Sequence, residues 1–254
     1  MKPLAELDAA AISAVLVDID DTLTSDGKLT AAAYEALERL SGAGKRVVPV
    51  TGRPAGWCDH IARMWPVDAV VGENGAFYFW FGEGKLHHRY ADDSQTRAAK
   101  RSKLKSIADR ILREVPGTAL ASDQAYRETD LAIDYCEDVP ALPIAAAERI
   151  AALMREAGLT ARVSSIHVNG WFGDYDKLSM ARCLFAERFG RDLDGGNDAV
   201  VYVGDSPNDA PMFDFFVNSV GVANVRRFAG LRPKFVTRAE AGAGFAELVA
   251  HLLR

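Results

Sequence analysis

A chain of 254 residues is long enough for one large hydrophobic core or two modest ones. Half of its residues are apolar and a quarter charged, which excludes a fibrous, disordered or low-complexity protein. Its formal charge of −5 argues against a nucleic-acid binder, so an anionic ligand would need a local positive site such as a bound cation.

Residues 14–19 form a short apolar, β-branched run ending in acids, which predicts a strand buried on both faces of a parallel sheet. Thr30 is placed to cap a helix whose apolar face is Ala33, Leu37 and Leu40, with Gly42 just past its end. Residues 46–50 read as a second strand, in which Pro49 removes one ladder donor. A helix then leads to a third strand over residues 68–72, which completes the start of an open parallel sheet.

The pattern then changes. Residues 76–81 and 85–90 predict a hairpin around Gly82 and Gly84. Ser94 opens a long helix that carries Leu104, Ile107, Ile111, Leu112 and Val115 on one face. Residues 131–135 and 160–165 read as strands, with a helix over 143–157 between them. This is an antiparallel α+β layout, set between residues 83 and 172. From Lys177 the first pattern resumes. A helix is expected to turn Leu178, Ala181, Phe185 and Phe189 inward, and residues 200–204 form a buried strand. A short helix after Pro207, a strand over 219–222 and a terminal helix with Phe245, Leu248, Val249 and Leu252 complete the chain. The expected organisation is a doubly wound α/β core of residues 1–82 plus 173–254, with an α+β cap of residues 83–172 inserted in it. Gly82, Gly84, Gly170 and Gly173 flank the insert as candidate hinges.

Four segments carry chemistry. Asp18-Ile19-Asp20-Asp21-Thr22 ends the first strand, and strand alternation puts Asp18 and Asp20 on one side. Open α/β sheets bind ligands beyond the carboxyl ends of their strands. Two carboxylates there can divide the work, one attacking phosphorus and the other moving protons. An EF-hand loop also starts DxD, but Leu23 and Leu29 stand where it needs Gly and Glu. Gly204-Asp205-Ser206-Pro207-Asn208-Asp209 likewise follows a buried strand, with Pro207 suited to a first helical position. Its acids suit a helix start for dipole reasons alone, or a Mg²⁺ site with Asp18, Asp20 and Asp205 as oxygen donors. Thr51-Gly52-Arg53 ends the second strand, either as a plain helix-starting turn or as a hydroxyl and backbone N–H cradle for phosphate. Lys177 stands alone between Lys105 and Lys234, and phosphoryl transfer needs a cation beside its nucleophile.

In this order the four segments resemble the motifs of the haloacid dehalogenase superfamily of phosphohydrolases. The length and placing of the insert, Glu73-Asn74-Gly75-Ala76, and the 221–225 segment with Asn224 are similar to the subfamily of Cof-type sugar phosphatases, sucrose-phosphatase and phosphomannomutase. The resemblance implies that Asp18 forms a phospho-aspartyl intermediate and ligates Mg²⁺. Asp20 would be the general acid/base, binding the metal through its carbonyl. It further implies that Thr51, Gly52, Lys177 and Asn208 hold phosphate, that Asp205 completes the metal site, and that Asp209 supports it. Asp21 stands where the family often has Gly, and Asp tolerates left-handed backbone. Leu178 likewise replaces a frequent Gly. The insert would select the substrate, with Arg53, Arg127, His167 and Asn169 as candidate contacts.

The expected activity is Mg²⁺-dependent hydrolysis of a small phosphorylated metabolite, in the first instance a sugar phosphate. A mutase-type phosphotransferase and a catalytically silent sugar-phosphate-binding regulator are the alternatives. Basic residues Lys100, Arg101, Lys103 and Lys105 read as a solvated helix face rather than an RNA site. Cys58, Cys136 and Cys183 are odd in number and show no paired spacing, the pattern of reduced cytosolic thiols. The apolar run over residues 9–17 ends in carboxylates rather than a cleavage site, and no run has the length of a membrane span. A cytoplasmic protein with no nucleic-acid or membrane partner is expected.

Overall fold

The computed structural model describes residues 1–254. Six parallel strands lie in the spatial order Lys2–Pro3, Phe235–Val236, Asn218–Gly221, Val200–Gly204, Ala14–Val17 and Arg46–Pro49. Val203 sits opposite Val17, and Val17 opposite Pro49, so the carboxyl ends of the central strands finish level with one another.

Both faces of this sheet are covered, which is why its strands read as unbroken apolar runs. Val15, Val47 and Val201 meet Leu37, Leu40, Phe245 and Leu248 from helices Ala31–Gly42 and Ala241–Leu252. On the other face, Leu16, Val48 and Tyr202 meet Met180, Leu184, Phe185 and Met212 from helices Lys177–Phe189 and Ala210–Phe215. The inward face of the first of these is therefore Met180, Ala181, Leu184 and Phe185, while Leu178 and Phe189 lie at its margin. Two-residue strands such as Lys2–Pro3 and Phe235–Val236 are too short to show any periodicity, and the sequence reading does not contain them.

Pro49 has a simple place here. The N–H groups of Arg46 and Val50 donate to Ser13 and Val17 of the neighbouring strand. Those of Val47 and Thr51 face the other way, to the Asp68 carboxylate and the Val71 carbonyl. Pro49 shares this outward parity, so its missing N–H removes no bond to the central strand.

Strands Val70–Gly72, Phe77–Gly82 and Lys85–Tyr90 form an antiparallel meander joined to the large sheet by a Val50–Val71 bridge. Phe77 and Phe79 pack on Cys58 and Ile61 of helix Ala55–Met64. Residue 83 lies in the turn of this hairpin, whose two strands pair from Phe77 to Tyr90, so the chain leaves the large sheet's side only after Tyr90.

Beyond it, strands run in the order Thr160–Val163, His167–Trp171, Asp130–Asp134 and Ala119–Leu120, all antiparallel. Helices Ser94–Glu114 and Ile144–Glu156 pack Leu104, Ile111, Ile150 and Met154 onto Leu131, Ile133 and Val168 of this second sheet. The strand His167–Trp171 is absent from the sequence reading, because Asn169 and Gly170 interrupt its apolar alternation. Gly170 lies inside it rather than at a hinge. A Cβ there would stand 2.6 Å from Met154 Sδ, so the glycine serves close packing. No helix is long and apolar enough to cross a membrane.

Candidate active site

Asp18 follows the Ala14–Val17 strand, and its N–H continues the ladder to the Val203 carbonyl. Asp205 follows the adjacent Val200–Gly204 strand, so parallel register alone brings the two carboxylates to one edge. The chain must then turn sharply. Asp21 does so with φ +55°, the left-handed geometry that Asp can adopt in place of Gly.

Lys177 is the first residue of its helix. Asp176 caps that helix by accepting from Ser179 N, and Ser179 returns the bond in a capping box. From this start the buried Lys177 ammonium donates to Asp18 Oδ1 at 2.8 Å and to Asp209 Oδ1 at 2.7 Å. Burial works against its charge, but the two carboxylates outweigh that and hold it above the usual lysine range.

Asp18, Asp205 and Asp209 each offer an oxygen within 4.8 Å of the others, all buried. Lys177 alone among the cationic side chains bonds to them. Three buried carboxylates against one ammonium leave unbalanced negative charge. Burial, with Asp209 and Asp20 adding to it against Lys177, pushes Asp18 up to about 8. Burial, then Asp209 and Asp18, likewise raises Asp205 well above the carboxylate range. An all-oxygen site with surplus negative charge fits a hard divalent cation such as Mg²⁺.

The three acids are not equivalent. Asp209 Oδ1 accepts from Lys177 and the Tyr202 hydroxyl, and Oδ2 from the N–H groups of Asp205 and Ser206. Both its oxygens already accept from protein donors, the arrangement expected of an acid that supports the metal site. Asp205 keeps one donor on each oxygen, Thr22 Oγ1 at 3.1 Å and Asn224 Nδ2 at 3.2 Å, and Asp18 has an oxygen free. Asp18 and Asp205 are the pair able to face a cation. The Asp20 carboxylate lies elsewhere, gripped by Arg53 Nε and Nη2 at 2.8–3.1 Å.

Between the two sheets lies a cavity of about 10 Å³ lined by Asp18, Asp20, Gly52, Arg53, Ser206 and Asn208. Arg127, Asn169, His167 and the Ser164–Ile166 turn close it from the side of the antiparallel sheet. Asn208 accepts from Ser206 Oγ at 2.7 Å, which leaves its amide nitrogen free beside the cavity. Thr51 is fully buried and stands behind this wall, its hydroxyl accepting from Arg53 N at 3.0 Å. The three residues expected to meet substrate from the insert are all engaged within the protein. Arg127 binds Asp123, Asp130 and the Gly52 carbonyl, Asn169 binds Asp130, and His167 Nε2 lies 2.8 Å from Glu137.

Glu73 ties the halves together. Its buried carboxylate accepts from Ala55 N and Glu128 N on one oxygen and from Thr129 N and Oγ1 on the other. Sequence reasoning names Glu73 only as part of a resemblance and assigns no role to Asp123, Glu137 or Tyr202. Nothing in their local spacing distinguishes them from surface acids or core aromatics.

Residues 15–110 match the family of haloacid dehalogenase-like hydrolases. The chain is 28% identical over 237 residues to a phosphoglycolate phosphatase of Haloarcula marismortui, covering 93% of this chain and 95% of that protein. A solved structure from Thermoplasma acidophilum superposes with a TM-score of 0.72 at 17% identity, over 95% of this chain and 98% of that one. A haloacid dehalogenase-like hydrolase of B. subtilis gives 0.66 at 16%, over 95% and 100%. The sucrose-phosphatase of Synechocystis, solved with sucrose and phosphate, gives 0.65 at 17%, over 94% and 97%. At these identities the structural likenesses establish the fold.

Proposed function

We propose that this chain, whose residues 15–110 match the haloacid dehalogenase-like hydrolases, is a Mg²⁺-dependent phosphatase of that family in which Asp18 is the nucleophile. The observation that carries this reading is the meeting of Asp18, Lys177 and Asp205 at the strand ends, although they come from distant parts of the chain. Asp18 attacks phosphorus and takes up the phosphoryl group. Lys177 balances the charge gathered there, and Asn208 and the Gly52 N–H contact the phosphoryl oxygens. Asp20 gives a proton to the leaving oxygen and then draws one from the water that releases phosphate. Asp18 and Asp205 would hold the cation, which supplies further positive charge against the phosphoryl oxygens when bound.

The inserted α+β unit acts as a cap. Its Ser164–His167 segment stands over the cavity, which holds no more than about one water in this closed arrangement, so substrate entry requires the cap to open. The substrate class is a small phosphorylated metabolite, and a sugar phosphate is the first candidate. Phosphoglycolate is the second, favoured by a relative that matches nearly the whole chain and bears that activity in its name. The test is a phosphate-release screen over sugar phosphates and phosphoglycolate, with Mg²⁺ and then with chelator. Release that persists undiminished in excess chelator would overturn the metal assignment, and detection of an isomerised sugar phosphate would favour the mutase.

A further inference from the structure

Arg53 bonds to carboxylates from three separate segments. Its Nε and Nη2 hold both oxygens of Asp20, Nη2 also reaches Glu137 Oε1 at 2.7 Å, and Nη1 lies 3.4 Å from Asp123 Oδ2. Asp20 belongs to the core, whereas Asp123 and Glu137 belong to the inserted unit. The guanidinium is almost fully buried and lies over the Trp57 ring at 4.4 Å. We propose that Arg53 is a positioning residue through which closure of the inserted unit aligns Asp20 with the leaving group. This rests on the phosphatase reading and on the proton-transfer role of Asp20.

A guanidinium is a rigid planar fork, so the plane that Asp123 and Glu137 impose on one side sets the direction of Asp20 on the other. Those two acids are themselves fixed. Glu137 lies against His167, and Asp123 accepts from Arg127, which reaches back to the Gly52 carbonyl next to Arg53. The ring closes through both halves of the molecule. Substrate cannot enter a cavity of about 10 Å³ without parting them. Parting them removes Asp123 and Glu137 from Arg53, which frees the guanidinium to turn and carry Asp20 with it. Closing rebuilds the three-carboxylate clamp and returns Asp20 to the cavity wall, at the stage when bulk water is excluded.

The test compares the wild type with Arg53→Lys, Glu137→Gln and the double variant Asp123→Asn/Glu137→Gln. Each is assayed on an alkyl phosphate and on p-nitrophenyl phosphate, and hydrogen–deuterium exchange is followed over residues 119–137 without substrate. A lysine cannot form the fork, so Arg53→Lys should lose ~10²-fold more activity on the alkyl ester, which needs a proton, than on the aryl ester. The double variant should show the same bias at about tenfold, with faster exchange in residues 119–137. Equal losses on both esters in every variant would mean a structural role and overturn the proposal. A wild type inactive on all esters would count against the phosphatase reading instead. The exchange measurement would then decide the clamp, and unchanged exchange in the double variant would overturn it.

Discussion

Lys177 Nζ lies 2.8 Å from Asp18 Oδ1 across 159 positions of sequence, and the same ammonium holds Asp209. One buried cation thus organises two of three clustered acids and leaves Asp205 to the hydroxyl of Thr22 and the amide of Asn224. The charge left over makes the behaviour of the site measurable.

Metal binding should depend on pH with a definite sign. Without metal, folded Asp18 keeps its proton up to about 8, whereas in the unfolded chain it ionises in the ordinary carboxylate range. The metal-free fold therefore loses stability as pH rises from about 4 towards about 8 and levels off above it. Mg²⁺ competes with that proton, so its stabilising effect should grow between pH 5.5 and 8. Thermal unfolding with Mg²⁺ and with chelator at several pH values checks this. An equal Mg²⁺ increment at both ends of the range would contradict it.

Asp205 and Asp209 should separate. Asp205→Asn removes surplus negative charge, so it should abolish the Mg²⁺ response and turnover while leaving the metal-free protein as stable as wild type or more so. Asp209→Asn puts an amide where four donors converge and should cost about 3–5 kcal/mol, the order expected for breaking a buried pair. Denaturant titration of both variants in chelator gives the comparison. Equal destabilisation would contradict this division of roles.

The two carboxylates of the first segment should differ by leaving group. Asp18→Asn should lose essentially all activity on every phosphate ester. Asp20→Asn should lose ~10²–10⁴-fold on a sugar phosphate but less on p-nitrophenyl phosphate, whose leaving group needs no proton. It should also let phosphate accumulate on the peptide containing Asp18, seen by rapid quench and mass spectrometry. Label on Asp20, or an active Asp18→Asn, would reverse the roles.

Gly75→Ala should damage activity from behind the site. The residue has φ +105°, and a Cβ there would stand 2.0 Å from the Asp176 carbonyl, the residue that starts the Lys177 helix. Relieving that clash must move the helix start or the turn, at a cost of about 1–3 kcal/mol. The kcat should fall with the displacement of Lys177. Gly84→Ala is the control, because its Cβ would meet nothing and its φ is also positive. If the two variants behaved alike, backbone strain rather than the contact would be responsible.

The sequence by itself determined the sheet and its active edge. Buried parallel strands must be apolar on both faces, and each such run here ends abruptly in Asp18, Thr51 or Asp205, so the type of site and its main acids were legible from neighbours in the chain. The same local logic gave the Thr30 cap of the helix that follows the first strand and the left-handed turn at Asp21. Only the tertiary structure decided what surrounds each acid. Asp209 and Asp205 look alike in sequence, yet one is filled by four donors while the other keeps capacity for a cation. The sequence marked Arg127 and His167 as candidate substrate contacts, but only the structure puts them at the cavity with Asp123, Asp130 and Glu137 as their neighbours. Partners of this kind are fixed by how two sheets meet across a cavity, and that distance leaves no periodicity in the chain for a reader to find.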